Sequence, residues 1–121
     1  MEYKILLWSN LSLFILHEMD AIYRKEWMML YPVNRLDETN AHILFTGMHF
    51  FLFLTIFFML DQYFYYIFWI MNIFGILHFA AHIIFIKHKH NKMNNVFSMG
   101  IVLLIALISA LSLILYFFIN Q

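Results

Sequence analysis

Two apolar runs, residues 40–60 and 63–86, are separated only by Asp61 and Gln62. A single helix through both would be about 70 Å long at 1.5 Å per residue, more than twice the roughly 30 Å thickness of a bilayer's hydrocarbon core. The chain must therefore reverse at Asp61-Gln62, and each run alone has the length of one membrane crossing. Two more runs qualify, about 5–23 and about 96–118. The first is the least apolar, because it holds Ser9, Asn10, Ser12, His17, Glu18 and Asp20. The expected fold is all-α: one transmembrane domain over residues 1–121, an integral membrane bundle of four transmembrane helices.

Composition agrees. Of the residues, 64% are hydrophobic and 12% charged, with mean hydropathy +0.80, against about 45–50% apolar and about 25% charged in soluble domains. The formal net charge is zero and no basic tract carries interleaved aromatics, which argues against a nucleic-acid partner. There are no cysteines, so disulfides, thiolate metal sites and cysteine nucleophiles are excluded. Lys4 before an apolar run resembles an export signal. No small-x-small cleavage site follows, however, and the run continues into His17-Glu18-Met19-Asp20, so a retained first helix is expected.

The loop 24–39 contains Trp27-Met28-Met29-Leu30-Tyr31-Pro32, an aromatic stretch suited to the headgroup level, and Asp37 and Thr39 offer oxygens to cap the second helix. With four spans, loops 24–39 and 87–95 fall on one side and hold Arg24, Lys25, Arg35, Lys87, Lys89 and Lys92, leaving only Lys4 opposite. The positive-inside rule then predicts cytoplasmic loops and both termini outside.

Ionisable groups inside a bilayer are costly and normally face the bundle interior. On the first helix, His17, Asp20 and Arg24 share a face with Asn10 and Leu13, while Trp8, Leu11, Ile15, Met19 and Ile22 fall on the opposite, lipid side. His42, Thr46 and His49 line up on the second helix, and His78 and His82 share a face of the third with Met71 and Gly75. Counted from the basic-loop ends, the helical rise puts His17 about 10 Å deep, His49 about 15 Å, His78 about 13 Å and His82 about 8 Å, with Asp20 about 6 Å and His42 about 5 Å. These depths predict one pocket in the cytoplasmic half, while the fourth helix presents Asn95, Ser98 and Ser109 for close packing.

Neutral imidazoles with a carboxylate suit Zn(II) or non-haem Fe(II), and an i,i+4 histidine pair presents two ligands from one helix. The expected metal ligands are His17, His49, His78 and His82, with Asp20 and His42 as further candidates. Asp20 would ligate or orient an imidazole, and Asp20 with His17 would do acid–base work. The competing structural reading has His78 and His82 hydrogen-bonding to serine or asparagine of neighbouring helices. Glu18 points about 100° away from His17 and reaches only towards a neighbouring helix. His88 and His90, in a Lys-rich loop, are expected to be solvated.

The run His17-Glu18-Met19-Asp20-Ala21-Ile22-Tyr23-Arg24-Lys25-Glu26-Trp27 resembles the signature of small uncharacterised four-span membrane proteins with an HExxD- or HxxEE-type motif at the end of the first helix and histidines on later helices. His17 matches the HxxEE pattern, Asp20 replaces its first glutamate, and Ala21 stands where the second would be. The resemblance implies a site at this segment. It does not carry over a two-carboxylate, dinuclear mechanism.

Three functions compete at this level. One is a metal-dependent hydrolase, or a metal-free acid–base isomerase, acting on a lipid or isoprenoid-like substrate. A second is proton or metal transport or sensing, disfavoured because the outer half offers only Ser9, Asn10, Ser12 and Asn72. The third is a non-catalytic subunit, a homo-oligomer or partner of another membrane protein, whose polar faces would meet another chain.

Overall fold

A computed structural model of the chain describes residues 2–119. Four long helices make up most of it: α1 (Glu2–Arg24), α2 (Glu38–Leu60), α3 (Phe64–Ile84) and α4 (Val96–Ile119), with short 3-10 turns at Glu26–Met29, Val33–Arg35 and Phe85–Lys87. Each long helix has the length and apolar character to cross a membrane. The expected all-α, four-span bundle is what the chain forms. The reversal at Asp61-Gln62 is tight, with the Tyr63 N–H donating to the Met59 carbonyl at 2.8 Å. Asp37 caps α2 by accepting from the Asn40 N–H at 3.1 Å, a bond that holds its carboxyl below the usual range. Asn95 does the same before α4, accepting from the Ser98 N–H at 3.0 Å.

Helices α1, α3 and α4 form the close-packed part. Apolar side chains gain nothing by leaving lipid for a protein interior, so small residues and hydrogen bonds must hold such helices together. Gly75 on α3 supplies the close approach: a Cβ there would collide with the Ser109 hydroxyl of α4 and lie 3.0 Å from Ile105 Cγ2. On the same seam Asn10 Nδ2 donates to Ser109 Oγ at 2.8 Å and to Asn72 Oδ1 at 3.3 Å, and Asn72 Nδ2 donates to the Phe68 carbonyl at 2.7 Å. These polar groups are fully buried among Leu7, Leu11, Phe14, Phe68, Ile101 and Ile105. Leu11 was expected to face lipid but is 1% exposed, whereas Trp8 and Met19 do face outward. Because α1 packs against all three other helices, its buried stripe is wider than one polar line.

Helix α2 is different. Only 11% of its most apolar stretch is buried, against 39%, 33% and 28% for α1, α3 and α4. Its buried residues sit at the two ends, Ala41 and Phe45 near the basic loops and Ile56 and Leu60 near the hairpin. Between them Met48 and Leu52 are exposed. The helix is pinned at both ends and stands off in the middle, and a cavity lies behind it.

Gly75→Ala should destabilise the bundle by about 1–3 kcal/mol through overpacking of the α3–α4 seam. Gly47→Ala and Gly100→Ala, where an added Cβ meets nothing within 4 Å, should not. Thermal unfolding of the three variants in detergent checks this. Equal melting temperatures would mean the seam is not packed through Gly75.

Candidate metal centre

The site begins with the way α1 stops. Lys25 takes a left-handed conformation, φ 57° and ψ 50°, which costs roughly 1–2 kcal/mol for a residue with a Cβ. This breaks the helix and folds the chain back beneath it. Trp27, 4% exposed, plugs into a cluster of Ala21, Ala41, Phe45 and Met93, and the Lys25 ammonium pairs with Glu38 at the start of α2. The aromatic stretch was expected at the headgroup level. Instead Trp27 and Met29 are buried in the bundle, and only Leu30 and Tyr31 of its large side chains are left exposed. Burying an indole is worth several kcal/mol, enough to offset the strained residue before it. The consequence is that Glu26, between the two, is aimed inward.

Above Glu26 three imidazoles converge. His17 of α1 is fully buried and His82 of α3 nearly so, and His78 lies one turn further along α3. The ring centroids are 4.6 Å apart for His17–His78, 5.1 Å for His17–His82 and 4.7 Å for His78–His82, each pair edge-on. One nitrogen from each ring lies within 4.8 Å of the others, an arrangement that could hold a metal ion. The Glu26 carboxylate reaches two of them, Oε2 at 3.7 Å from His17 Nε2 and Oε1 at 3.5 Å from His82 Nε2. Its burial, and then the negative charge of Glu18, raise the Glu26 carboxyl to about 7.

His17 Nε2 and His78 Nε2 are 2.7 Å apart, so one carries a proton and the other offers its lone pair. A tetrahedral ion with metal–nitrogen distances near 2.0–2.1 Å would hold them about 3.3 Å apart, a change that a small rotation of one ring supplies. His17 Nδ1 and both nitrogens of His82 are buried without a hydrogen-bond partner. Buried polar atoms are rarely left so, and unshared imidazole lone pairs are what a divalent ion takes up.

A second pair faces the same space. His49 Nδ1 lies 2.7 Å from the Phe45 carbonyl, which can only accept, so Nδ1 carries a proton. His49 Nε2 sits 2.9 Å from Glu18 Oε2, and that contact is attractive only if the pair holds one further proton. Glu18 thus reaches a neighbouring helix, as its position on α1 predicted. Glu18, Glu26, His49, His78 and His82 together line one end of a cavity of about 460 Å³ between α2 and α3, whose remaining walls are apolar.

Three residues expected as ligands stand outside the cluster: His49, which lines the cavity but meets Glu18, and Asp20 and His42, which lie elsewhere. Asp20 is buried, but its carboxylate accepts from the Ser98 hydroxyl of α4 and from Arg24 Nε at 3.3 Å. It ties α1 to α4 and leaves the carboxylate position beside the triad to Glu26. Asp20 lies on the buried face with His17, as its spacing predicts, but α4 rather than α3 meets that end of it. His42 is exposed and stacks on Trp27, with ring centroids 5.4 Å apart, beside a separate polar pocket lined by Lys25, Glu38 and Thr39. It lies one turn too close to the end of α2 to pass Trp27. Glu26 was missed because it follows the helix. The one available signal was an acidic residue directly before a tryptophan, in a loop that also holds Asp37 and Glu38.

A family model matches residues 3–118, nearly the whole chain. The chain belongs to that family, DUF6713. It is described as a family of unknown function. No curated protein and no solved structure matches the chain.

Nitrogen-15 NMR of histidine-labelled protein in chelator should show a protonated Nε2 on one of His17 and His78 and an unprotonated Nε2 on the other. Two unprotonated Nε2 signals would contradict the 2.7 Å contact.

Proposed function

We propose that this member of DUF6713 is a metal-dependent membrane enzyme, hydrolase-like, acting on a lipid-soluble substrate. The observation that carries this reading is the convergence of three imidazoles, with a carboxylate beside them, at one end of an otherwise apolar cavity of about 460 Å³. His17, His78 and His82 would hold a divalent ion, zinc or iron(II), and the three-protein-ligand arrangement leaves a coordination position open to water or substrate. Such an ion supplies a hydroxide-like nucleophile near neutral pH and polarises a carbonyl. Glu26 stands on the cavity side of His17 and His82, placed to accept a proton and pass it to a leaving group. The Glu18–His49 pair, across the cavity on α1 and α2, is a second proton-holding group facing the same substrate. Asp20 acts as a brace through Ser98 and Arg24.

The other half of the bundle supports a pocket rather than a transport pathway. Its polar groups, Asn10, Asn72 and Ser109, bond one another within packed helices. The polar faces are turned into this chain's own interior, which also disfavours a purely structural subunit.

Metal analysis of protein purified in detergent without chelator tests the reading. The wild type should carry about one equivalent of zinc or iron, and His78→Ala and His82→Ala should lose it. Glu26→Gln should weaken retention by roughly 10–100-fold, the usual cost of a group beside the ligands. A wild type without stoichiometric metal overturns the metal-enzyme reading.

In the membrane the basic loops would face the cytoplasm, supported by the six Lys and Arg residues they hold against Lys4 on the other side. Because the chain has no cysteine, Lys89→Cys and Gln62→Cys give clean labelling sites. An impermeant maleimide applied to intact cells should label Gln62→Cys and spare Lys89→Cys, and the reverse pattern would invert the topology.

A further inference from the structure

The cavity between α2 and α3 has a shape and a polarity that the metal site alone does not call for. Along α3 its lining runs from Ile67 to Phe85, about 27 Å at the helical rise. The groove is long for its volume of about 460 Å³. A helix from a partner or a second copy, about 10–12 Å across with its side chains, needs more room than that.

Polarity is confined to one end. The two carboxylates and three imidazoles that line the cavity all belong to the basic-loop half, and towards the hairpin only Phe53, Ile56, Ile67, Ile70 and Met71 line it. Ile56, Ile67 and Met71 are nearly fully buried and close that end. Along its length the groove is open sideways, because Met48 and Leu52 of α2 and Ile70 and Phe74 of α3 are exposed at its lips. In a bilayer, those lips face acyl chains. A molecule sliding in from the near leaflet arrives with its polar end towards the basic loops and its tail towards the midplane, the same order as the groove's own lining, so it need not turn over.

From these observations we infer that the groove binds one single-chain acyl lipid, taken laterally from the bilayer, with its oxygen-bearing head against Glu26 and His82 and its tail lying along α3 to Ile67. This rests on the reading of the imidazole cluster as the reaction centre, and adds to it the substrate class, the direction of approach and the residues that measure chain length. A volume of about 460 Å³ suits one acyl chain rather than two. The groove's closed end sets the longest tail. At roughly 30 Å³ for a group the size of a water or methylene, 460 Å³ corresponds to about fifteen such groups.

The probe is palmitic acid carrying a diazirine at its tail end, photolysed with the purified protein in nanodiscs and mapped by peptide mass spectrometry. Labelling should concentrate on Phe53, Ile56, Ile67 and Met71 and be competed by unmodified palmitic acid. Ile70→Trp, a change at an exposed lip position that leaves the core intact, should abolish that labelling while the bound metal stays at the wild-type level. Uncompeted labelling spread over lipid-facing residues such as Ile84 and Ile114, in protein that retains its metal, overturns the single-chain proposal and leaves the metal reading standing. Competed groove labelling in protein without metal supports the lipid site and removes the metal reading.

Discussion

Hydrocarbon cannot hydrogen-bond, so each polar side chain placed at membrane depth must find its partner inside the protein, and each unsatisfied group costs several kcal/mol. That constraint orders the whole bundle. It gathers the polar residues of four helices into two layers. In the half nearer the hairpin, Asn10, Asn72 and Ser109 bond one another, and the seam they occupy closes because Gly75 has no side chain. In the other half, His17, His78, His82, His49, Glu18 and Glu26 face one another. The first layer has a structural explanation in its hydrogen bonds. Both layers keep a buried atom without a hydrogen-bond partner, Asn10 Oδ1 in the first and His17 Nδ1 with both His82 nitrogens in the second, but it is the second that brings one nitrogen from each of three imidazoles within 4.8 Å of the others.

The second layer depends on a backbone event that lies outside the helices. Had α1 simply run on past Arg24, Glu26 would follow the helical spiral out towards the headgroups. The left-handed Lys25 turns the chain under the bundle, and Trp27 secures the turn by filling the space between Ala21, Ala41 and Phe45. Lys25 and Trp27 therefore position the carboxylate without touching the imidazoles. Their chemistry looks unrelated to the imidazole cluster, and their effect on it is mechanical.

The helices were legible because lipid imposes length and composition on each span, and both can be counted. The depth layer was legible for the same reason: a fixed rise per residue puts His17, His78 and His82 at similar heights, and the structure brings those three together. What could not be counted was rotation and neighbour order. Asp20 shares a face with His17, but the helix packed against that end is α4, so Ser98 receives it. His42 shares a stripe with His49, but Trp27 stands between it and the cluster. Glu26 belongs to a loop, where no periodicity applies, and a left-handed lysine carries no sequence signal comparable to a glycine at that place.

The helices divide the labour in a way that bears on access. The triad is carried by α1 and α3, and α4 braces both, through Asp20–Ser98 on one side and Gly75–Ser109 on the other. Helix α2 supplies one wall of the cavity and His49, whose contact with Glu18 is a polar tie in its middle, while its buried residues lie at the two ends, Ala41 and Phe45 at one and Ile56 and Leu60 at the other. Local stability follows buried contact, so an outward movement of the middle of α2 would cost chiefly the Glu18–His49 contact and leave the mutual geometry of the three clustered imidazoles in place. The proposed reaction centre would need both properties at once, ligands that stay fixed and a side through which a substrate could come. The fixed cluster and the loosely packed wall belong to different helices.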